Sequence, residues 1–313
     1  MRIAVVGVGG VGGYFGGRLA QAGEDVSFIA RGEHLRAIQE SGLRVESADG
    51  DFLIQPARAT DDTTTVGPVD AVVLAVKGWQ VPDAIATIRP LMGAGTFIMP
   101  LLNGIDAPNQ LAAAFGRRRV APGLCNLFGA VEAPGQIRNM MARPRIVVGE
   151  FDGSGSERLE RLCQAFARVG VRAAVADDIW AALWEKLLLV APFAGVGAVT
   201  RAPVGVMRAL PETRAMLEGA MTEIYELARA RGVAVAADAI ATAFAFVDGS
   251  PEQATASMQR DIIAGRPSEL ESQVGVVVRL ARETAMNVPI HTALYASLLP
   301  QERRARGEIA FPG

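Results

Sequence analysis

The sequence predicts a two-part protein, in which a doubly wound α/β sheet is followed by an all-helical half. Up to about residue 176, apolar runs typical of strands alternate with stretches of helical spacing, and a glycine-rich turn follows the first run. Beyond that point only helical patterns remain. A length of 313 residues also favours two domains, because single hydrophobic cores stop growing near about 250–300 residues. We expect one domain at 1–176 and a second at 177–313.

Four candidate strands in the first half are continuous apolar runs, the pattern of strands that are covered on both faces. They are Ile3–Val6, Val26–Ala30, Ala71–Val76 and Thr96–Leu101, and a fifth candidate, Ile146–Gly149, follows later. Helical spacing occupies the intervening segments His34–Glu40 and Val81–Leu91. Because strands and helices alternate, the sheet should be parallel, with helices on both faces.

A glycine-rich motif lies directly between the first strand and the first helix. Its residues are Gly7, Val8, Gly9, Gly10, Val11 and Gly12, which read G-x-G-x-x-G. The glycines permit a tight turn and a close approach of the backbone to a pyrophosphate, which then sits at the helix N-terminus. In this context the motif predicts a dinucleotide-binding α/β domain of the Rossmann type.

The end of the second strand indicates which dinucleotide is bound. An NAD site usually carries an acidic residue there to bind the ribose 2′-hydroxyl, but this strand ends in Arg31, 24 residues after Gly7. An arginine would pair with a 2′-phosphate, so we expect NADP(H). Glu33 is the competing residue, and NAD would become the expected cofactor if its side chain folded back toward the ribose.

The second half shows three helix signals. Pro211–Arg231 is amphipathic and is closed by Gly232, a common residue after a helix end. Ser250–Gln253 has Ser, Pro and Gln at the positions of a helix start. Ser268 to Glu271 opens a further helix that should run toward Asn287, with Pro289 stopping it.

The chain contains only two lysines, Lys77 and Lys186, beside 29 arginines. An ammonium group can release a proton, whereas a guanidinium remains charged, so these lysines are candidates for proton transfer. Lys77 ends the third strand and Asn103 follows the fourth, at the strand ends where open α/β sheets bind ligands. Lys186 lies among apolar residues, and we expect such surroundings to disfavour its charged ammonium. A general acid near neutral pH requires an ammonium that gives up its proton in this way. The alternative for Lys186 is a lysine at a helix edge that reaches water.

Composition limits the other classes of function. A net charge of −2 gives no reason to expect a nucleic acid or an anionic membrane as partner, and the apolar run Leu187–Val199 is too short to span a bilayer. Cys125 and Cys163 form no CxxC pair, which argues against a disulfide scaffold or a structural zinc site and fits a reducing cytosol. We therefore expect a cytoplasmic protein. No residue cluster suits a catalytic metal, and His34 and His291 should be structural or solvated.

Six separated motifs together resemble the ketopantoate reductase family over essentially the whole chain. They are the glycine loop, Arg31, Val76–Gln80, Asn103-Gly104, Trp184–Lys186, and Ser257 with Arg266–Glu269. The resemblance implies a Rossmann domain joined to a helical domain, and reduction of 2-dehydropantoate to D-pantoate with NADPH in pantothenate biosynthesis.

The resemblance also implies roles for individual residues. Lys186 matches the lysine that protonates the carbonyl oxygen, and Glu269 a glutamate that supports this step. Ser257 matches a serine near the substrate carboxylate, Asn103 an asparagine between cofactor and substrate, and Lys77 a lysine that lines the same pocket. Glu269 could instead be a first-turn acid that stabilises a helix N-terminus, and Ser257 a mid-helix filler.

One departure from the family affects the substrate. In the pantoate-forming branch, asparagines follow the catalytic lysine by four and eight positions and bind substrate, whereas this chain has Val190 and Ala194. We therefore expect a small 2-oxo acid substrate, which is either 2-dehydropantoate or one with a more apolar tail, as for a D-2-hydroxy acid dehydrogenase. A dinucleotide sensor without catalysis is the non-enzymatic alternative. The helical domain could provide a homodimer surface.

Overall fold

The computed structural model describes residues Met1–Phe311 and divides into two compact units. The first unit comprises Met1–Leu102 and Ala107–Ile179, and the second comprises Asn103–Asp106 and Trp180 onwards. The short segment Asn103–Asp106 therefore belongs to the second unit, although residues of the first unit flank it in sequence.

Within the described residues, twelve strands are all in the first unit. They are β1 (Arg2–Val6), β2 (Asp25–Ile29), β3 (Leu43–Ser47), β4 (Phe52–Ile54), β5 (Arg58–Thr60), β6 (Val69–Leu74), β7 (Met92–Pro100), β8 (Gly123–Asn126), β9 (Gly129–Ala133), β10 (Gln136–Asn139), β11 (Arg145–Val148) and β12 (Arg172–Val175).

The main sheet has the order β5-β2-β1-β6-β7 and all its pairs are parallel. Its central strand β1 is buried from Ile3 to Val6, because helices cover both faces of the sheet and a continuous apolar run suits such a position. The predicted doubly wound α/β fold is confirmed.

Two smaller sheets complete the first unit. One has the order β4-β3-β10-β9 and the other β12-β11-β8. Most of these strands were not predicted, since they are short and several alternate exposed with buried residues. The sheet that contains β9 and β10 packs against the first helix, beside the glycine loop.

Among the described residues, the first unit contains five α-helices. The other α-helices form the second unit, together with the π-helical turn Glu271–Gly275. In chain order, the α-helices are α1 (Gly10–Gln21), α2 (Gly32–Ser41), α3 (Val81–Ile88), α4 (Ala107–Phe115), α5 (Glu157–Ala167), α6 (Ile179–Thr200), α7 (Val204–Ala209), α8 (Pro211–Ala230), α9 (Ala239–Gly249), α10 (Ser257–Ile263), α11 (Val276–Glu283) and α12 (Pro289–Ala305).

Helix α6 is longer than its apolar run suggested. It spans 22 residues and is long and apolar enough to cross a membrane, the one such helix among the described residues. However, 67% of its most apolar window is buried inside the protein, as in the core helix of a globular domain. A lipid-facing helix would instead leave most of this surface uncovered.

Two helix boundaries in the second unit correct the sequence-based expectations. Ser250 does not start a helix; its hydroxyl donates to the carbonyl of Phe246 at 2.7 Å and closes α9. Pro289 does not stop a helix but occupies the first position of α12, where its missing N–H costs nothing. By contrast, α8 ends as predicted, with Gly232 just beyond it at φ +76°.

Candidate functional site

The glycine loop connects β1 to α1 in a turn that larger residues could not form. Gly7 has φ +91°, and its N–H donates to Ile29 O at 3.2 Å. A Cβ on Gly12 would overlap the carbonyl oxygen of Gly7, and one on Gly10 would overlap the backbone of Gly129 in β9. These glycines therefore let the first turn of α1 pack closely on its neighbours.

Gly9 differs from the other glycines of the loop because it borders open space. A Cβ built on it would meet no atom within 4 Å. Gly9 is also the N-cap residue of α1, without a side-chain cap, and the first turn contains no acidic residue. The N-terminal N–H groups and the positive end of the helix dipole thus remain available to an anion, which is the environment that a pyrophosphate requires.

Arg31 and Glu33 both lie at the start of α2. Arg31 is the N-cap residue of this helix, and its exposed side chain has no ion-pair partner within residues 1–311. The carboxylate of Glu33 lies 4.0 Å from the guanidinium of Arg36, one turn further along the same helix. Glu33 therefore lies along its own helix, and Arg31 offers an uncompensated positive charge.

Lys77 does not end a strand, contrary to the sequence-based expectation. Strand β6 ends at Leu74, and Lys77 precedes a short 3₁₀ turn, Gly78–Gln80. The side-chain oxygen of Gln80 accepts a hydrogen bond from the Lys77 N–H at 3.0 Å. Lys77 is half-buried in the loop that follows β6, at the same sheet edge as the glycine loop after β1.

In the second unit, Asn103 and Glu269 are joined by a hydrogen bond. The side-chain amide of Asn103 donates to Glu269 Oε2 at 3.3 Å, and Gln273 Nε2 donates to the same oxygen at 3.4 Å. Glu269 is only 4% exposed. It precedes the π-helical turn, a feature that often marks functional sites. The structure thus brings together two residues that the sequence assigned to one site.

The segment that carries Asn103 is held against this turn by two further contacts. A Cβ on Gly104, which has φ +92°, would overlap the carbonyl of Ser272. Asp106 pairs with Arg279 of α11 at 2.5 Å. Burial raises the pKa of the Asp106 carboxyl, and the guanidinium of Arg279 partly offsets this rise. These contacts fix the approach of Asn103 to Glu269.

Lys186, Val190 and Ala194 follow one another on α6 at intervals of four residues, so they lie along one side of that helix. Lys186 and Val190 are half-buried, whereas Ala194 is only 1% exposed. Ser257 lies on a different element, as the half-buried first residue of α10. The alternative interpretation of Ser257 as a mid-helix filler is therefore wrong.

A carboxylate that the sequence analysis missed supports the segment before Glu269. Glu302 of α12 is 2% exposed. It accepts hydrogen bonds from the Ser268 N–H at 3.1 Å and from the Ser268 hydroxyl at 2.5 Å, and it pairs with Arg306 at 2.6 Å. The Ser268 hydroxyl in turn accepts from the Leu270 N–H at 3.2 Å. The spacing of Glu302 and Arg306 was visible in the sequence, but their contact with Ser268 was not.

The two histidines also have defined environments. His34 bridges Val8 and Gly135 through its two ring nitrogens. His291 is fully buried, with Nδ1 2.6 Å from the carboxylate of Glu223. Among the described residues, no group of three or more His, Cys, Asp or Glu side chains could hold a metal ion.

Comparison with known proteins places these features in a family. The family model described as "Ketopantoate reductase PanE/ApbA" matches residues 3–153, and the corresponding C-terminal model matches residues 178–302. A 2-dehydropantoate 2-reductase of Mesorhizobium japonicum is 31% identical over 319 residues, covering 95% of this chain and 96% of the relative.

Solved structures agree with this assignment. The crystal structure of 2-dehydropantoate 2-reductase from Geobacter metallireducens has a TM-score of 0.91 and 32% identity, and the match covers 96% of this chain and 99% of that one. D-mandelate dehydrogenase with NADH and anilino(oxo)acetate has a TM-score of 0.89 at 19% identity, covering 98% and 99%; this likeness concerns the fold alone. The chain belongs to the ketopantoate reductase PanE/ApbA family.

Proposed function

We propose that this protein reduces a 2-oxo acid to a 2-hydroxy acid with NADPH. The observation that carries the proposal is the Asn103–Glu269 hydrogen bond, because it joins two side chains to which the family resemblance assigns roles at the site of reduction. The family supports an oxidoreductase acting on CH–OH groups, with a nicotinamide dinucleotide as cofactor and a small molecule as substrate.

NADPH is proposed over NADH because of the charges at the start of α2. Gly7–Gly12 and the uncapped start of α1 suit a pyrophosphate, which both dinucleotides contain. Only NADPH adds a 2′-phosphate, and Arg31 provides an exposed cation that could pair with it. Glu33, the residue that would favour NAD, is directed toward Arg36 instead.

We assign each candidate site residue a role in the reduction. A bound NADPH supplies the hydride that adds to the carbonyl carbon of the substrate. Lys186 donates a proton to the carbonyl oxygen, since an ammonium can act as a general acid. Glu269 supports Lys186 and contacts the substrate, and Asn103 orients the reacting groups through its amide. Lys77, in the loop after β6, contributes positive charge toward the cofactor, and Ser257 binds the substrate carboxylate.

We propose 2-dehydropantoate as the substrate, which gives D-pantoate and places the protein in pantothenate biosynthesis. This proposal is supported by the relatives and solved structures that bear the name 2-dehydropantoate 2-reductase. Residues 1–176 would bind the cofactor, and residues 177–313 would provide most of the substrate site.

A 2-oxo acid with a more apolar tail is the second candidate. Val190 and Ala194 replace two asparagines that bind substrate in the pantoate-forming branch. Of the two, Val190 retains accessible surface, while Ala194 is almost fully buried. A substrate hydroxyl beside Val190 would lack a partner, at a cost of about 1–3 kcal/mol if buried.

Steady-state kinetics would separate these candidates. NADPH oxidation should be followed with 2-dehydropantoate, 2-oxoisovalerate and phenylglyoxylate, in the wild type and in a Val190→Asn/Ala194→Asn variant. A preference for 2-dehydropantoate of about tenfold or more, which corresponds to about 1.4 kcal/mol, would establish the first candidate. A preference for an apolar acid, with the double variant improved on 2-dehydropantoate, would establish the second. Tight NADPH binding without turnover of any acid would indicate a dinucleotide sensor.

The setting of the protein is also a proposal. Neither Cys125 nor Cys163 forms a disulfide, which fits a reducing cytoplasm. The net charge of −2 gives no reason to expect nucleic acid as a partner. We propose a cytoplasmic enzyme without a membrane or nucleic-acid partner, and a homodimer formed through the helical domain.

A further inference from the structure

The imidazole of His34 connects two backbone segments that are far apart in sequence. Its Nε2 lies 2.8 Å from the carbonyl oxygen of Val8, and its Nδ1 lies 3.0 Å from the N–H of Gly135. Because a backbone N–H can only donate, Nδ1 must be the acceptor. The ring is therefore neutral, and Nε2–H donates to Val8. Only this tautomer satisfies both contacts.

Val8 lies inside the glycine loop, so this hydrogen bond acts on the proposed cofactor site. The peptide between Val8 and Gly9 is planar and trans, and its C=O and N–H groups point in opposite directions. When His34 holds the Val8 carbonyl, it also sets the direction of the Gly9 N–H. Gly9 is the residue of the loop that borders open space.

The other end of the bridge is a well-anchored turn. Gly135 lies between β9 and β10 with φ +75°, and its carbonyl accepts from the Arg44 N–H at 2.9 Å. The first residue of β9, Gly129, also packs against Gly10. The turn and strand β9 thus support the loop at two places, one through direct packing and the other through His34.

We propose that His34 is a positioning residue for the dinucleotide, because it holds the Val8–Gly9 peptide in the orientation that receives the pyrophosphate. This inference rests on the proposed function, since it takes a dinucleotide as the ligand of the loop. In this role His34 acts on the ligand only through the Val8 carbonyl that it holds. Its effect should therefore be confined to the pyrophosphate half of recognition.

Two ligands distinguish this role from a general effect on folding. NADPH contains the pyrophosphate, whereas adenosine 2′-monophosphate lacks it. The Kd of NADPH can be measured by its fluorescence, and the Ki of adenosine 2′-monophosphate by displacement of NADPH. A loosened loop should weaken NADPH alone, whereas a damaged domain should weaken both ligands.

Three substitutions separate the two hydrogen bonds. His34→Phe removes both and should raise the NADPH Kd about tenfold, the order expected for one lost buried partner, with the Ki of adenosine 2′-monophosphate within about twofold. His34→Gln can still reach Val8 with its amide N–H and should restore most of the NADPH affinity. His34→Asn can accept from Gly135 but is too short for Val8, so it should not. Glu40→Gln, an exposed change on the same helix, is the matched control.

Several results would overturn the inference while leaving the proposed function intact. These are unchanged NADPH binding in His34→Phe, an equal loss for both ligands, and restoration by His34→Asn as complete as by His34→Gln. If the wild-type protein binds neither ligand, the proposed function itself fails, and the inference fails with it.

Discussion

The side-chain amide of Asn103 donates a hydrogen bond to the carboxylate of Glu269, although 166 positions separate the two residues in the chain. Asn103 reaches this position because the segment Asn103–Asp106 is packed on the π-helical turn and paired with Arg279. The hydrogen bond therefore joins an amide donor to a carboxylate that is only 4% exposed.

Lys186 is expected to be the proton donor, and two substitutions test this role. Lys186→Ala should lower kcat by about 10²–10⁴-fold, the usual contribution of a general acid, with little change in the Kd of NADPH. Lys186→Arg should rescue poorly, because a guanidinium keeps its charge but does not release a proton at the working pH. Near-wild-type turnover of the arginine variant would reduce Lys186 to an electrostatic anchor.

Arg31 is expected to determine the preference for NADPH. A charge-assisted hydrogen bond to phosphate contributes about 1.5–3 kcal/mol, or roughly 10- to 150-fold in affinity. Arg31→Ala should weaken NADPH by that order and leave NADH nearly unchanged. Calorimetric titration of both cofactors provides the comparison, with Arg161→Ala, an exposed arginine on α5 of the first unit, as the control. Equal losses for both cofactors would show that Arg31 acts on the structure of the loop.

Glu302 is expected to stabilise the second unit strongly. Its replacement by alanine leaves the buried Ser268 groups and Arg306 without their carboxylate. Removing one partner of a buried pair costs about 3–5 kcal/mol, which should appear as a lower free energy of unfolding in urea. The control is Glu308→Ala, since Glu308 pairs with Arg303 on the surface at 4.0 Å and such pairs contribute only about 0–1 kcal/mol. Similar losses in the two variants would refute the assignment.

Stability should decrease in acid because of His34. Burial lowers the pKa of its imidazole from 6.5, and the hydrogen bond to Val8 only partly offsets this. The unfolded chain therefore takes up the proton first as the pH falls. The contribution of His34 is complete above about pH 6.5 and is lost as the pH falls from there through the lower folded-state pKa.

The measurement is the urea midpoint of the wild type minus that of His34→Gln across this pH range. The nearby charges should not obscure the effect: Glu33 pairs with Arg36 on α2, and Glu132 pairs with Arg138 on the hairpin. Neither pair contributes to the shift of the His34 pKa. A difference that stays constant with pH would show that His34 does not titrate with folding.

The sequence predicted the elements whose signals are local. The central strands β1 and β2 are apolar runs of the expected length, and the glycine loop follows β1 as the motif requires. Helix α8 was predicted over Pro211–Arg231 with Gly232 closing it, and the structure confirms the helix and the glycine beyond its end.

The errors arose where one residue pattern fits two structures. Ser250 followed by Pro251 is compatible with a helix start, but a serine can also bond back to a carbonyl four residues earlier and close a helix. Proline is common both at the first position of a helix and just after a helix end. The π-helical turn has no such sequence signal, and neither do the contacts of Glu302 with Ser268 or of His34 with Gly135. Each of these contacts joins residues that only the completed fold brings together.

The membership of Asn103–Asp106 in the second unit has a consequence for dissecting the protein. No single cut of the chain can yield both units intact, because a C-terminal fragment would lack the donor to Glu269 and the partner of Arg279. Such a fragment, expressed alone, would have an unsupported π-helical turn. A synthetic peptide that spans residues 103–106 and their flanks should then bind it in trans, so that the two pieces complement each other as halves of a split protein.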